Sequence, residues 1–104
     1  MILGRVIGTV WATRKDEQTV GMKFQLVREV DLDYSPKSGF VVAVDSVGAG
    51  VGEIVLVAQG SSGRQTELTH NKPVDAVIMA IVDRIDVDEG EVEEVKRRAE
   101  LTNA

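Results

Sequence analysis

The chain of 104 residues predicts an all-β fold, a five-stranded OB-like barrel followed by a short C-terminal α-helix. Three observations carry this. Five apolar or alternating runs of strand length fall within the first 87 residues, the opening run is long and bears two glycines that suggest a bend, and one variable connection comes late in the order. A two-sheet sandwich is the other arrangement these runs allow. The boundary between the barrel domain, 1–87, and an acidic helical tail, 88–104, is set by the change in charge pattern described below.

ILGRVIGTVW, Ile2 to Trp11, is rich in β-branched residues and reads as a coiled first strand with Gly4 and Gly8 inside it. After the charged stretch TRKDEQTVGM, the run KFQLVREV predicts a half-buried second strand, with Phe24, Leu26 and Val30 on one side and Lys23, Gln25 and Glu29 on the other. Val27 and Arg28 break that alternation. DLDYSPKSG, punctuated by Pro36 and Gly39, reads as a loop, and FVVAVDSV, Phe40 to Val47, as the third strand. EIVLVA, Glu53 to Ala58, is a fourth strand, apolar on both faces, which suits barrel interior on one side and neighbouring protein on the other. GSSGRQTELTHNKP is polar and turn-rich. In VDAVIMAIVDRIDV the apolar residues 76–82 show no 3.6-residue stripe, and Val77, Ile78, Ile81 and Val82 favour an extended chain, the fifth strand.

The tail is different in kind. Asp88 with Glu91 fits a capping box, Glu93→Arg97 and Glu94→Arg98 are favourable pairs four residues apart, and residues 89–101 are expected to be helical. Val92, Val95 and Ala99 are its only apolar stripe, so light packing is expected. Residues 86–104 hold seven acids and three bases, which places -4 of the net charge of -5 in this last stretch of the chain.

Composition excludes several function classes. A hydrophobic fraction of 43% is that of a soluble globular chain, and no run approaches the roughly 18 apolar residues a membrane helix needs. The opening residues lack a basic segment followed by an apolar one, so the cytoplasm is the expected location. With no cysteine there is no disulfide and no thiolate chemistry. The acidic balance and the four aromatics, Trp11, Phe24, Tyr34 and Phe40, without basic interleaving, make an OB-type nucleic-acid-binding module the rival reading and not the leading one.

The stretch DSVGAGVGEIVLV raises the question of phosphate binding. Gly48, Gly50 and Gly52 are followed by Glu53, with no lysine or hydroxyl where a P-loop needs them, and a strand follows where a dinucleotide fingerprint needs a helix. Glycines adopting conformations closed to other residues, and allowing several chains to converge around an axis, are the better reading. His70 stands alone in a polar loop, which does not make a metal site. Asp45, Glu53, Asp75 and Asp83 lie at strand margins without an ordered nucleophile and base, so no catalytic residue, metal site or cofactor is expected; a small enzyme or metabolite sensor built on Asp45, Glu53 or His70 is the weakest alternative. Trp11 is either core or a contact at a subunit boundary.

MILGRVIGTVWATRK (Met1–Lys15), VAVDSVGAGVGEIVLV (Val42–Val57), GSSGR (Gly60–Arg64) and PVDAVIMAIVD (Pro73–Asp83) together resemble, in order, the bacterial microcompartment vertex proteins of the EutN/CcmL family. Gly63 stands where that pattern more often has alanine, and the tail after about Asp88 lies outside it. The resemblance implies a barrel that assembles as a cyclic homopentamer, caps the corners of a shell beside hexameric shell proteins, and catalyses nothing. It implies an axis or pore loop of Ser46, Val47, Gly48, Ala49, Gly50, Val51 and Gly52, and contacts to shell tiles from Gly60, Ser61, Ser62 and Arg64. Trp11, Arg14, Pro73, Val74 and Asp75 are the residues expected at the subunit interface, with neither nucleic acid nor membrane as a partner.

Overall fold

A computed structural model of the protein describes residues 1–11, 21–60 and 76–103. Its elements are β1 (Ile2–Val10), β2 (Phe24–Val30), β3 (Pro36–Asp45), β4 (Ile54–Gln59), β5 (Ala76–Val82) and α1 (Glu89–Asn103). The strands close a barrel in the order β1-β2-β3-β5-β4. All neighbours are antiparallel except β3 and β5, which run parallel and meet through only Val44↔Val77 and Asp45↔Ile78.

β1 holds the barrel together because it pairs on both edges, with β2 from Gly4↔Glu29 to Val10↔Phe24 and with β4 from Ile2↔Val57 to Arg5↔Ile54. A register shift between Val6 and Gly8 lets it coil from one neighbour to the other, as a β-bulge does. Gly4 is required for a steric reason: a Cβ there would lie 2.4 Å from Val27 Cγ1 and 2.8 Å from the Arg28 carbonyl oxygen. The interior is filled by Val6, Val27, Ala43, Ala49, Val55, Val57, Ala76 and Ile78, small and branched side chains that suit the narrow lumen of five strands. A second buried group, Met22, Val44, Ala58 and Val77, packs with Phe24.

Two strand expectations change. On β2 the buried residues are Gln25, Val27 and Val30, whereas Phe24 and Leu26 are half-buried, so Val30 is buried as expected but over the first half of the strand the side that reads as polar faces the interior. The register with β1 explains it: Val27 lies opposite Val6, and Gln25 opposite Thr9, whose hydroxyl donates to the Gln25 Oε1 at 2.8 Å. The segment Pro36–Gly39, expected as loop, is strand, because the hairpin with β2 continues to Val30↔Pro36. Proline is tolerated as the first residue of the strand, where no ladder donor is lost. β3 correspondingly ends at Asp45, before the glycines.

The β2–β3 turn is closed by Asp33, whose carboxylate accepts from the Ser35 hydroxyl and N–H, with Tyr34 at φ 67°. The Ser35 hydroxyl first, then its N–H, hold the Asp33 carboxyl below the usual aspartate value, with a smaller contribution from the charge of Lys96 on α1. α1 starts as expected at Asp88, whose Oδ1 accepts the Gly90 N–H at 2.7 Å. Glu93 pairs with Lys96 and Glu94 with Arg97, both three residues apart. Val95 is buried, Val92 half-buried and Ala99 exposed, so only the first half of the helix packs.

Candidate functional site: the glycine loop and the outer face of β3

The β3–β4 connection folds around two carboxylates. Asp45 Oδ1 accepts the N–H groups of Val47 at 3.0 Å and Gly48 at 2.9 Å, and the Ala49 N–H also donates to this carboxylate. Glu53 Oε1 accepts the Gly50 N–H at 2.6 Å, and the Glu53 N–H donates to the Gly50 carbonyl at 3.2 Å. The Gly52 N–H reaches the Val6 carbonyl on β1 at 2.8 Å, and the Val6 N–H returns to the Glu53 carbonyl at 3.0 Å. Ser46 donates its hydroxyl to the Ile78 carbonyl on β5. Beneath the loop, Gln25 is 1% exposed and its Nε2 donates to the Ala49 carbonyl at 2.8 Å and toward Asp45 Oδ2 at 3.4 Å.

This arrangement answers the phosphate question. A phosphate loop works by aiming several free backbone N–H groups at an anion. Here the donors of residues 47, 48, 49, 50, 52 and 53 already have acceptors, most of them carboxylate or carbonyl oxygens of the same loop. The chain's own carboxylates occupy the place an external anion would take. Burial pushes the Asp45 pKa up and is the largest single influence, but the N–H groups of Val47, Ala49 and Gly48 and the Gln25 amide together outweigh it and hold the carboxyl below the usual value of 3.8. Of the three glycines only two need φ > 0, Gly48 at 75° and Gly52 at 94°; Gly50 does not.

The sequence-predicted positions are distributed as follows. Ser46 to Gly52 form one loop across a barrel end, with Ala49 in the core and Val51 66% exposed. Gly60, at φ 63°, follows β4 and is exposed. Trp11 is 89% exposed, at the edge of a cleft of about 320 Å³ that Thr9, Val10, Met22, Lys23 and Phe24 also line. Arg14, Ser61, Ser62, Arg64, His70, Pro73, Val74 and Asp75 lie outside the described residues. Asp45 and Glu53 are brought to the same loop, but each is engaged by backbone donors and they do not form an acid–base couple. Among the described residues no group of three or more potential metal ligands converges, and no helix is long and apolar enough to cross a membrane.

Sequence reasoning missed Gln25, the polar anchor of the loop, and the character of β3. Residues Pro36 to Phe40 are exposed one after another, and Phe40 and Val42 are 59% and 46% exposed. Leu26↔Val42 and Arg28↔Phe40 are cross-strand partners, so these four residues share the outer face, with the Arg28 guanidinium 5.8 Å from the Phe40 ring centroid. The broken alternation at Val27 and Arg28 is the signal that could have revealed both features.

A closed barrel whose loop donors are internally consumed, and whose outer face carries large exposed apolar side chains, defines a structural protein made to be covered by other protein. A match to the EutN/CcmL family, described as ethanolamine utilisation protein EutN/carboxysome, spans residues 1–83, and the chain belongs to this family. It is 47% identical over 89 residues to the bacterial microcompartment shell vertex protein PduN of Salmonella typhimurium, covering 82% of this chain and 98% of that one. The solved structure of CcmL from Gloeobacter violaceus is similar at 43% identity with a TM-score of 0.80, covering 85% of this chain and 91% of that chain. GrpN from Rhodospirillum rubrum, a pentameric microcompartment shell protein, is similar at 43% identity and TM-score 0.77, covering 85% and 100%. The family role is structural and not catalytic. α1 lies beyond the matched residues.

Proposed function

We propose that five copies of this chain close into a ring that caps the corners of a bacterial microcompartment shell. The observation that carries this is the similarity over nearly the whole barrel to shell vertex proteins, one of which is pentameric in its solved structure. Five-fold units supply the curvature that a sheet of six-fold tiles lacks, and a cyclic ring repeats one heterologous contact around the axis. The neighbouring tiles are hexameric shell proteins. The loop Ser46–Gly52 faces the axis, Gly60, Ser61, Ser62 and Arg64 face the tiles, and Trp11, with Arg14, Pro73, Val74 and Asp75, contributes to subunit contacts.

The self-satisfied loop supports a structural role at the axis, because it keeps its shape without a ligand. Native mass spectrometry of the purified chain at micromolar concentration, followed by co-assembly with hexameric shell proteins, tests the reading. A five-fold species that joins closed particles is expected; a monomer that binds oligonucleotides at low salt instead would reinstate the nucleic-acid module.

A further inference from the structure

Val6 and Val27 meet as cross-strand partners in the core, so Arg5 and Arg28, the paired residues next to them, face each other on the outside of β1 and β2. Side chains directly opposite stand about 5 Å apart at Cβ, and like charges placed so repel. Both arginines are half-buried. β1 and β4 carry no acid to offset them, and Glu29, the only acid on β2, is drawn to Lys37 at 3.7 Å. Arg28 donates one N–H to the Ser38 carbonyl at 3.0 Å and lies 5.8 Å from the Phe40 ring centroid. Arg5 makes no hydrogen bond or ion pair among the described residues. Around the two cations the surface is apolar: Ile54 lies opposite Arg5 on β4, Phe40 opposite Arg28 on β3, and Leu3 and Leu26 stand two residues away toward opposite ends of the same face.

We propose that Arg5 and Arg28 together hold one carboxylate group, with Ile54 and Phe40 flanking the apolar body that carries it. A guanidinium presents parallel N–H donors in a fork that matches the two oxygens of a carboxylate. One such anion between the two forks turns a repulsion into two attractions, and half-burial makes each of them stronger than in open water. Phe40 fixes one fork in place by lying against it, so that fork is ordered before any ligand arrives. The walls select further. An inorganic anion would satisfy the charges but leave Ile54, Phe40, Leu3 and Leu26 uncovered, whereas an acid on an apolar carrier meets both demands. A small organic acid and an acidic side chain of another protein share this chemistry, and the two sources are separated below. The proposal rests on strand register within one protomer and is independent of the ring reading.

The test titrates the full chain with acetate, hexanoate and inorganic phosphate in low-salt buffer at neutral pH, following the Nε–Hε NMR signals of Arg5 and Arg28. Hexanoate is expected to shift both signals saturably, half-saturating at a concentration roughly tenfold below that of acetate because its chain covers the apolar walls. Arg5→Gln is expected to abolish the response. Phosphate that saturates the pair before hexanoate overturns the proposal, since charge alone is then selected. Without ligand, Arg5→Gln should melt at the same temperature as the unaltered chain or higher, because a like-charge contact is removed. A lower melting temperature overturns the site, Arg5 then serving the fold. If hexanoate gives no shift, the same variant decides the source: a roughly tenfold loss in joining hexameric shell proteins, with the barrel intact by circular dichroism, assigns the carboxylate to a neighbouring protein. No such loss overturns the proposal, and a failure of the unaltered chain to form a ring leaves the titration readable.

Discussion

β3 contains two contrasting regions within one continuous strand. At its C-terminal end the chain turns inward: Asp45 collects successive N–H groups, Ala49 enters the core, Gln25 closes the underside, and the loop is complete within one protomer. At its N-terminal end the same strand pairs, among the described residues, with β2 alone, and exposes Phe40 and Val42. The difference lies in where hydrogen-bond partners come from. The loop brings acceptors with it as side chains, whereas the arm, among the described residues, finds its partners on β2 across the hairpin.

Substitutions should separate the two regions. The largest loss of protomer stability is expected at Ile78, fully buried where the strands meet, whose carbonyl also accepts the Ser46 hydroxyl. Ile78→Ala is expected to cost about 2–5 kcal/mol, measured by urea denaturation, and to loosen loop and barrel together. Gln25→Leu keeps the volume but leaves the Ala49 carbonyl and the Thr9 hydroxyl without their partner; a loss of about 1–3 kcal/mol is expected, with faster amide exchange at Val47 and Gly48 and none at the arm. Equal stability of the two proteins would remove Gln25 from its assigned role.

Gly52→Ala forces a side chain into φ 94° and is expected to cost about 1–2 kcal/mol, whereas Gly50→Ala should be close to neutral, its Cβ meeting Glu53 Oε1 at an ordinary 3.4 Å. Similar melting temperatures for both variants would contradict the loop geometry. The smallest effect is that of acid. Because the Asp45 pKa is held below its unfolded value, its stabilisation is fully present above the ordinary aspartate range and is lost as pH falls through the depressed folded value. An NMR titration should place its midpoint below 3.8; a midpoint above that would mean burial outweighs the loop donors.

Much of this fold was legible from patterning. The valine-rich runs at Phe40–Val47 and Glu53–Ala58, and the apolar block 76–82, fall on β3, β4 and β5 because β-branched side chains fill a narrow lumen. The helix began where Asp88 announced it. What stayed hidden was the sense of β2, because alternation identifies two faces without saying which one is inward when Gln25 is satisfied in the core and Leu26 is only half-covered. Pro36–Gly39 was unreadable as strand for a related reason: its extended form comes from cross-strand pairing, which no local residue preference encodes. Four of the seven axis-loop residues are neither glycine nor charged, and Asp45, the carboxylate that holds the N–H groups of Val47 and Gly48, precedes the loop.

The central claim, that the loop is complete in one copy, is tested most directly by amide hydrogen exchange on the unaltered chain at two concentrations that straddle ring dissociation. The account predicts equal protection at both concentrations for Val47, Gly48, Gly50 and Gly52. Loop amides slowed only by assembly would contradict it.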